Sequence, residues 1–192
     1  AEKILARVER TGGDLTAVAD TLAASEDPGD RMLAEVDELL GDRRPTADDV
    51  HRLPWTTACL QEARRLFPAQ WFARLAVEDD VIGGLAIRRG TTILIPAHDI
   101  HYDARWWPEP ETFDPERFLG QAKIRHRSAY LPFGGGRRIC IGQGFAMIEM
   151  VLIAAIMSQR FVFDVTPGFP VEFESTITLR PRNGLQMIAK GR

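Results

Sequence analysis

Residues 133–142 read FGGGRRICIG, from Phe133 to Gly142, and lead into an apolar run from Phe145 to Ile156. Three successive glycines, Gly134 to Gly136, release the backbone from side-chain sterics, so it can turn tightly and approach a flat ligand closely. Arg137 and Arg138 follow as fixed cations, and Cys140 falls just ahead of the start of a predicted helix. Exposed N–H groups and the helix dipole at such a position favour a thiolate over a thiol. A thiolate with an arginine two residues upstream in a glycine-rich loop suits haem, whose iron can take a Cys ligand and whose propionates are anionic.

Two further segments stand upstream in a fixed order. Pro54 suits the first turn of a helix that runs to about Phe67 before Pro68 stops it, and Glu62 and Arg65 lie three apart on one face of that helix. Read alone, the pair is an exposed salt bridge contributing a few tenths of a kcal/mol. Phe113-Asp-Pro-Glu-Arg-Phe118 follows, before the Cys loop.

Together these residues resemble the cytochromes P-450. The loop matches that family's haem segment F-G-x-G-x-R-x-C-x-G at Phe133, Gly134, Gly136, Arg138, Cys140 and Gly142; Glu62-Ala-Arg-Arg65 matches its E-x-x-R motif, and the segment ending at Phe118 its P-E-R-F motif. The resemblance covers about Met32 to the carboxy terminus. It implies haem (iron protoporphyrin) as cofactor, Cys140 as the axial metal ligand, and the six matched loop residues as its binding set. It implies a buried ionic triad of Glu62, Arg65 and Arg117 that holds the proximal side together. Arg74 stands where the family often places a second propionate-binding arginine; a solvated strand residue is the other reading. The implied activity is monooxygenation of a small organic substrate, with electrons from a ferredoxin- or flavoprotein-type donor; no catalytic side chain is assigned.

The bulk properties bound the remaining choices. At 192 residues, 45% hydrophobic and 27% charged, the chain can bury a core within one domain. A net charge of −3 gives no global positive field for nucleic acid. Lys123, Arg125, His126, Arg127, Arg137 and Arg138 do gather basic charge around the loop. They read either as a solvated loop or as a docking patch for an acidic electron donor, steered electrostatically and weakened by salt. Two cysteines, Cys59 and Cys140, exclude a disulfide framework, and no charged segment precedes an apolar signal region. The run 145–156 is too short to span a bilayer and carries Glu149, so a cytoplasmic protein without a membrane partner is expected. His51, His98, His101 and His126 lack zinc-site spacing and are expected to be structural or exposed. None stands in a context that would make Cys140 a hydrolase nucleophile.

The expected fold is mainly α with small β-sheets (α+β), the carboxy-terminal portion of the family's fold, forming a single partial domain over 1–192. Residues 1–24 read as a helical lead-in interrupted at Gly12-Gly13, and 25–192 as the haem-binding proximal half. Met32, Leu33, Val36, Leu39 and Leu40 predict an amphipathic helix ending at Gly41, and Thr46 to Asp49 resembles a capping box with Asp in place of Glu. Strands are expected at 71–77 and over 85–95, the latter two joined by a turn at Arg88-Arg89-Gly90. Trp106, Trp107 and Phe113 are expected in the core, and the run after Cys140, apolar on nearly every face, should be covered on all sides. A terminal sheet is expected from 171–173, 176–179 and 185–188.

The resemblance also implies an oxygen-activation motif, A-G-x-[DE]-T-T, before the helix at Asp30 to Leu40. Thr11-Gly-Gly-Asp-Leu-Thr16 puts Leu15 where the proton-delivering threonine belongs, and Ala6-Arg-Val-Glu-Arg-Thr11 puts Arg10 there. Neither supplies an intact acid–alcohol pair. The family's amino-terminal half, which supplies most of a substrate pocket, is not found. A truncated, non-catalytic haem-binding or interaction module is therefore the alternative to a monooxygenase.

Overall fold

The computed structural model describes residues 27–68, 71–120, 126–175 and 178–192. The expectations for residues 1–24, including both oxygen-activation candidates, and for Lys123 and Arg125 lie outside them.

The predicted amphipathic helix is α1, Pro28–Leu40. The Asp27 carboxylate accepts from the Gly29 N–H at 2.8 Å, Pro28 fills the first turn, and Gly41 stops the helix, so each end is set by local chemistry. Thr46 and Asp49 form the expected capping box: the Thr46 N–H donates to the Asp49 carboxylate at 2.9 Å and the Asp49 N–H to the Thr46 carbonyl at 3.0 Å. The turn that follows, Ala47–Arg52, is a 3-10 helix.

Helix α2, Pro54–Leu66, is preceded by Leu53, which has no side chain able to cap it. Glu35 from α1 performs that task. Its carboxylate accepts from the Trp55 N–H at 2.7 Å, the Thr56 N–H at 2.8 Å and the Thr56 hydroxyl at 2.7 Å. The negative charge meets the positive end of the helix dipole while satisfying two donors that a helix start leaves open. Glu35→Ala is therefore expected to lower stability by about 1–3 kcal/mol. Glu35→Gln should lose less, because an amide oxygen still accepts; a urea midpoint unmoved by the alanine would contradict this.

Val36 and Leu40 of α1 pack with Leu53 and with Val151 and Ala155 of a long helix after the Cys loop, α4, Gln143–Ser158; between them in sequence lies a short helix, α3, Ala97–His101. A second cluster joins Ala58, Trp107 and Phe118. Trp107 is core, as expected, and Phe113 half-buried, but Trp106 is exposed and packs on His126 with ring centres 5.5 Å apart. Covering α4 on all sides is not observed. Its neighbours bury the face with Val151 and Ala155 and leave Phe145, Ile148, Ile153 and Met157 open to solvent.

Among the described residues eight short strands make four antiparallel pairs: β1 (Phe72–Leu75) with β4 (Thr92–Ile95), β2 (Asp80–Ile82) with β3 (Leu85–Ile87), β5 (Phe161–Val165) with β8 (Met187–Gly191), and β6 (Phe173–Ser175) with β7 (Leu179–Pro181). This corrects the expected pairing across Arg88-Arg89-Gly90. That segment turns the chain back toward β1, held by bonds from the Gly90 N–H to the Ala76 carbonyl and from the Ala76 N–H to the Thr91 carbonyl. In the tail the strands sit about two residues later than expected, and β5, unforeseen in the sequence, is the partner of the last strand. Helices with small sheets make an α+β arrangement. Among the described residues no helix is long and apolar enough to cross a membrane.

Candidate haem-loop site

The site is built from α2 outward. Glu62 and Arg65, one helical turn apart, are both fully buried and joined by two parallel bonds of 2.7 Å, from Arg65 Nε to Oε2 and from Nη2 to Oε1. Arg117, from the 3-10 turn Pro115–Phe118, brings its Nε to 3.4 Å from Glu62 Oε1, and the Asp114 N–H donates to the same oxygen at 3.0 Å. The remaining Arg65 donors reach the carbonyls of His101 (2.8 Å), Pro110 (2.6 Å) and Thr112 (3.2 Å). The aperiodic stretch after α3 thus has a structural task, since its carbonyls wrap a guanidinium that no water reaches. The exposed salt-bridge reading of Glu62 and Arg65 is excluded by their burial.

His101 ties this network to the loop. Its Nε2 lies 2.8 Å from the Leu131 N–H and its Nδ1 3.1 Å from the Arg65 carbonyl. A backbone N–H can only donate and a carbonyl only accept, so the ring is the neutral tautomer with its proton on Nδ1. Burial pushes its pKa down to about 4, against the opposing pull of the Arg65 carbonyl. The approach to the loop is fixed twice more: the Trp107 indole donates to the Ala129 carbonyl at 3.0 Å and the Tyr130 hydroxyl to the Gln61 carbonyl at 2.9 Å.

The loop itself closes by a bond of 3.0 Å from the Cys140 N–H to the Phe133 carbonyl. Gly134 (φ +78°) and Gly136 (φ +68°) occupy left-handed backbone that other residues rarely adopt. At Gly134 a side chain would also meet the Phe72 ring of β1, 3.1 Å from the position of a Cβ. Glycine is required there both by conformation and by packing. Cys140 is exposed, and Ile139, Ile141 and Phe145 beside it in sequence are also exposed. Cys59, the other free cysteine, is half-buried, and desolvation pushes its thiol up to about 12.

A cleft of about 580 Å³ brings Arg74 together with Phe72, Phe133, Gly134, Gly136 and Ile139. Arg74 is half-buried in β1, opposite Ile93 of β4, and its guanidinium donates to the Ala73 carbonyl at 2.8 Å. Arg138 is exposed on the short 3-10 turn Gly136–Arg138 and has no ion pair among the described residues. The structure therefore groups Arg74 with Phe133, Gly134 and Gly136, and sets Arg138, Cys140 and Gly142 on the continuation of the same loop. Among the described residues no group of three His, Cys, Asp or Glu could hold a metal ion. A flat group bound through one sulfur requires a different surface: one thiol, apolar side chains around it, cations for its anionic edge, and backbone close enough to lie against it. Cys140 offers an exposed thiol, Ile139, Ile141 and Phe145 near it in sequence are apolar and exposed, and Arg74, Arg138 and the glycines supply cations and open backbone, so the residue types present fit such a group.

One contributor carried no distinguishing sequence signal. Arg64, inside the E-x-x-R motif, stacks on Phe133 with its guanidinium carbon 3.9 Å from the ring centre and donates to the Pro132 carbonyl at 2.7 Å. The trace that could have found it is a second arginine beside Arg65 in a helix otherwise facing the core.

A sequence model of the family described as Cytochrome P450 matches residues 21–188, starting ahead of Met32, where the motif-based resemblance begins. The protein of Mycobacterium tuberculosis assigned as cytochrome P450 132 is 56% identical over 190 residues, covering 98% of this chain and 41% of that protein. The cyclooctat-9-en-7-ol 5-monooxygenase of Streptomyces melanosporofaciens is 38% identical over 167 residues, 86% of this chain and 36% of that protein. The chain thus spans about two fifths of the length of the curated relatives it matches. The crystal structure of the cytochrome P450DA heme domain superimposes with a TM-score of 0.81 at 31% identity, over 91% of this chain and 39% of that one. The retinoic acid-bound cyanobacterial CYP120A1 does so with a TM-score of 0.81 at 30% identity, over 93% and 42%.

Proposed function

Because the chain belongs to the cytochrome P450 family, we propose that it is the haem-binding proximal part of a haem-thiolate monooxygenase, with Cys140 as the iron ligand. The carrying observation is the exposed sulfur of Cys140 on a loop closed at Phe133, beside exposed apolar residues and in one loop system with Arg138 and the Arg74 cleft. A thiolate-bound haem supplies electron density that favours O–O cleavage. The chain's own residues do the rest. Gly134 and Gly136 let the backbone lie close to a flat group, and Phe133 and Gly142 bound the loop that carries the sulfur. Arg74 and Arg138 would hold the anionic edge by charge-assisted hydrogen bonds. Glu62, Arg65 and Arg117 act as scaffold and touch no substrate.

Residues 25–192 form this proximal unit within a single partial domain, and a small organic substrate is the partner on the opposite side of the cofactor. His126, Arg127, Arg137 and Arg138, all exposed, form the described part of the basic surface that we assign to an acidic electron-donor protein of ferredoxin or flavoprotein type. A haem-binding module without turnover is the second reading, favoured by Leu15 and Arg10 standing in the two candidate motifs where the resemblance places a proton-delivering threonine.

The absorption spectrum of the reduced, carbon monoxide-bound chain after loading with haem tests the assignment. A thiolate-type shifted band is expected in the parent and its loss in Cys140→Ala; a band that survives the substitution would remove Cys140 as ligand. Oxidation of substrates with an added donor system then separates the enzyme from the module.

A further inference from the structure

We propose that Arg64 is the positioning residue of the Cys140 loop and the fixed counter-cation of the sulfur that the loop presents. The second half rests on Cys140 being the haem ligand; the first does not.

Among the described residues, the side-chain contacts of Arg64 lead to the loop and to the helix after it. Nη2 donates to the Pro132 carbonyl at 2.7 Å, the guanidinium lies over the Phe133 ring at 3.9 Å, and Nη1 is 3.9 Å from the Met150 sulfur of α4. Phe133 is the residue whose carbonyl receives the Cys140 N–H. A side chain that fixes Pro132 and Phe133 therefore fixes one end of the bond that closes the loop. Cation–π stacking and a charge-assisted bond to a carbonyl each favour one loop conformation over its alternatives.

All three partners are neutral, and Nε is buried with no hydrogen-bond partner among the described residues. Among the described residues no carboxylate pairs with Arg64, yet desolvation acts on its charge. Arg64 is half-buried, and a cation drawn partly out of water is ordinarily paired with an anion. Two ionisable side chains are tied to what Arg64 touches: Tyr130, three residues before Phe133, and Cys140, whose N–H is bonded to the carbonyl of the Phe133 on which Arg64 stacks. Burial pushes the Tyr130 phenol upward and its hydroxyl donates to Gln61, so it stays neutral. Cys140 is left as the source of the missing negative charge. A fixed cation beside a ligating thiolate stabilises the form with the extra electron, so it raises the midpoint potential of the bound iron. Arg64 touches neither substrate nor reacting atoms.

Two measurements test this on the full chain. In the haem-loaded protein, titrated with dithionite, Arg64→Gln is expected to move the midpoint potential to a more negative value and Arg64→Lys, which keeps the charge, to return it toward the parent. An unchanged potential in Arg64→Gln overturns the counter-cation role. In the chain without added haem, the amides of Gly134 and Cys140 should exchange hydrogen roughly tenfold faster in Arg64→Gln, the equivalent of one lost hydrogen bond. Amides in the first half of α2 should stay at the parental rate. Parental rates throughout overturn the positioning role, and a variant that fails to load haem is judged by this arm. The spectrum of Cys140→Ala decides the haem reading independently of both.

Discussion

Glu62→Ala is expected to destabilise the folded chain by about 3–5 kcal/mol and to prevent haem incorporation. The magnitude follows from what is left behind. Arg65 is fully buried, and the substitution removes the two bonds of 2.7 Å that neutralise it. Arg117, 3.4 Å from the same carboxylate, keeps the Asp114 carboxylate at 3.6 Å but then faces Arg65 as a like charge, and the Asp114 N–H loses its acceptor. Carbonyls of His101, Pro110 and Thr112 still solvate Arg65, but they carry no net charge. The geometry also ranks the variants. Arg117→Ala should cost less than Glu62→Ala, because it leaves the bidentate pair intact. Urea unfolding followed by circular dichroism measures the order, and a soluble Glu62→Ala chain with parental stability would remove the triad from the account of this fold.

Acidification is expected to weaken the same region through His101. The folded-state pKa is depressed to about 4, whereas an unfolded histidine titrates near 6.5. Between those values the unfolded chain takes up a proton that the folded chain refuses, so stability rises with pH across that window. It is fully present above about 6.5 and lost as the pH falls toward 4, by up to about 3 kcal/mol. Protonation of Nε2 would turn the acceptor of the Leu131 N–H into a donor, so the loop is the part that loses its anchor. Unfolding measured at steps from pH 7 to pH 5, above the range of ordinary carboxylates, should show the slope in the parent and a flatter line in His101→Gln. Equal slopes would assign the acid sensitivity elsewhere.

The helices were legible because their ends and faces are local. Pro28, Gly41, Pro54 and Pro68 punctuate α1 and α2, and the 3.6-residue spacing of Val36, Leu40 and their neighbours needs no partner to be read. Strand pairing was not legible. A strand of three or four residues has too few alternations to specify a register, and Arg88-Arg89-Gly90 has the composition of a hairpin turn while the strands it separates pair with others. In the site, the positions that carry a chemical pattern were readable: the loop, the pair Glu62 and Arg65, and Arg117. Arg64 and the bridging role of His101 were not, since each acts through contacts to segments 30 to 86 residues away. The open face of α4 has the same origin. Apolar composition states that a surface is to be covered, without stating by which part of a chain, and this chain spans about two fifths of its relatives.

Helix α2 ends in an unusual economy of capping. Its last turn has no glycine stop; instead the Arg65 carbonyl receives the His101 ring and the Leu66 carbonyl the Tyr102 hydroxyl, both from 36 residues downstream. Gln61 receives Tyr130 from 69 residues away. Loops of that length must close before the helix end is satisfied, and closure entropy grows with loop length. The carboxyl end of α2 therefore cannot mature as local structure. It forms in the same cooperative step as the segment from α3 to the Cys loop, a high-contact-order event that places the slow part of folding at that loop.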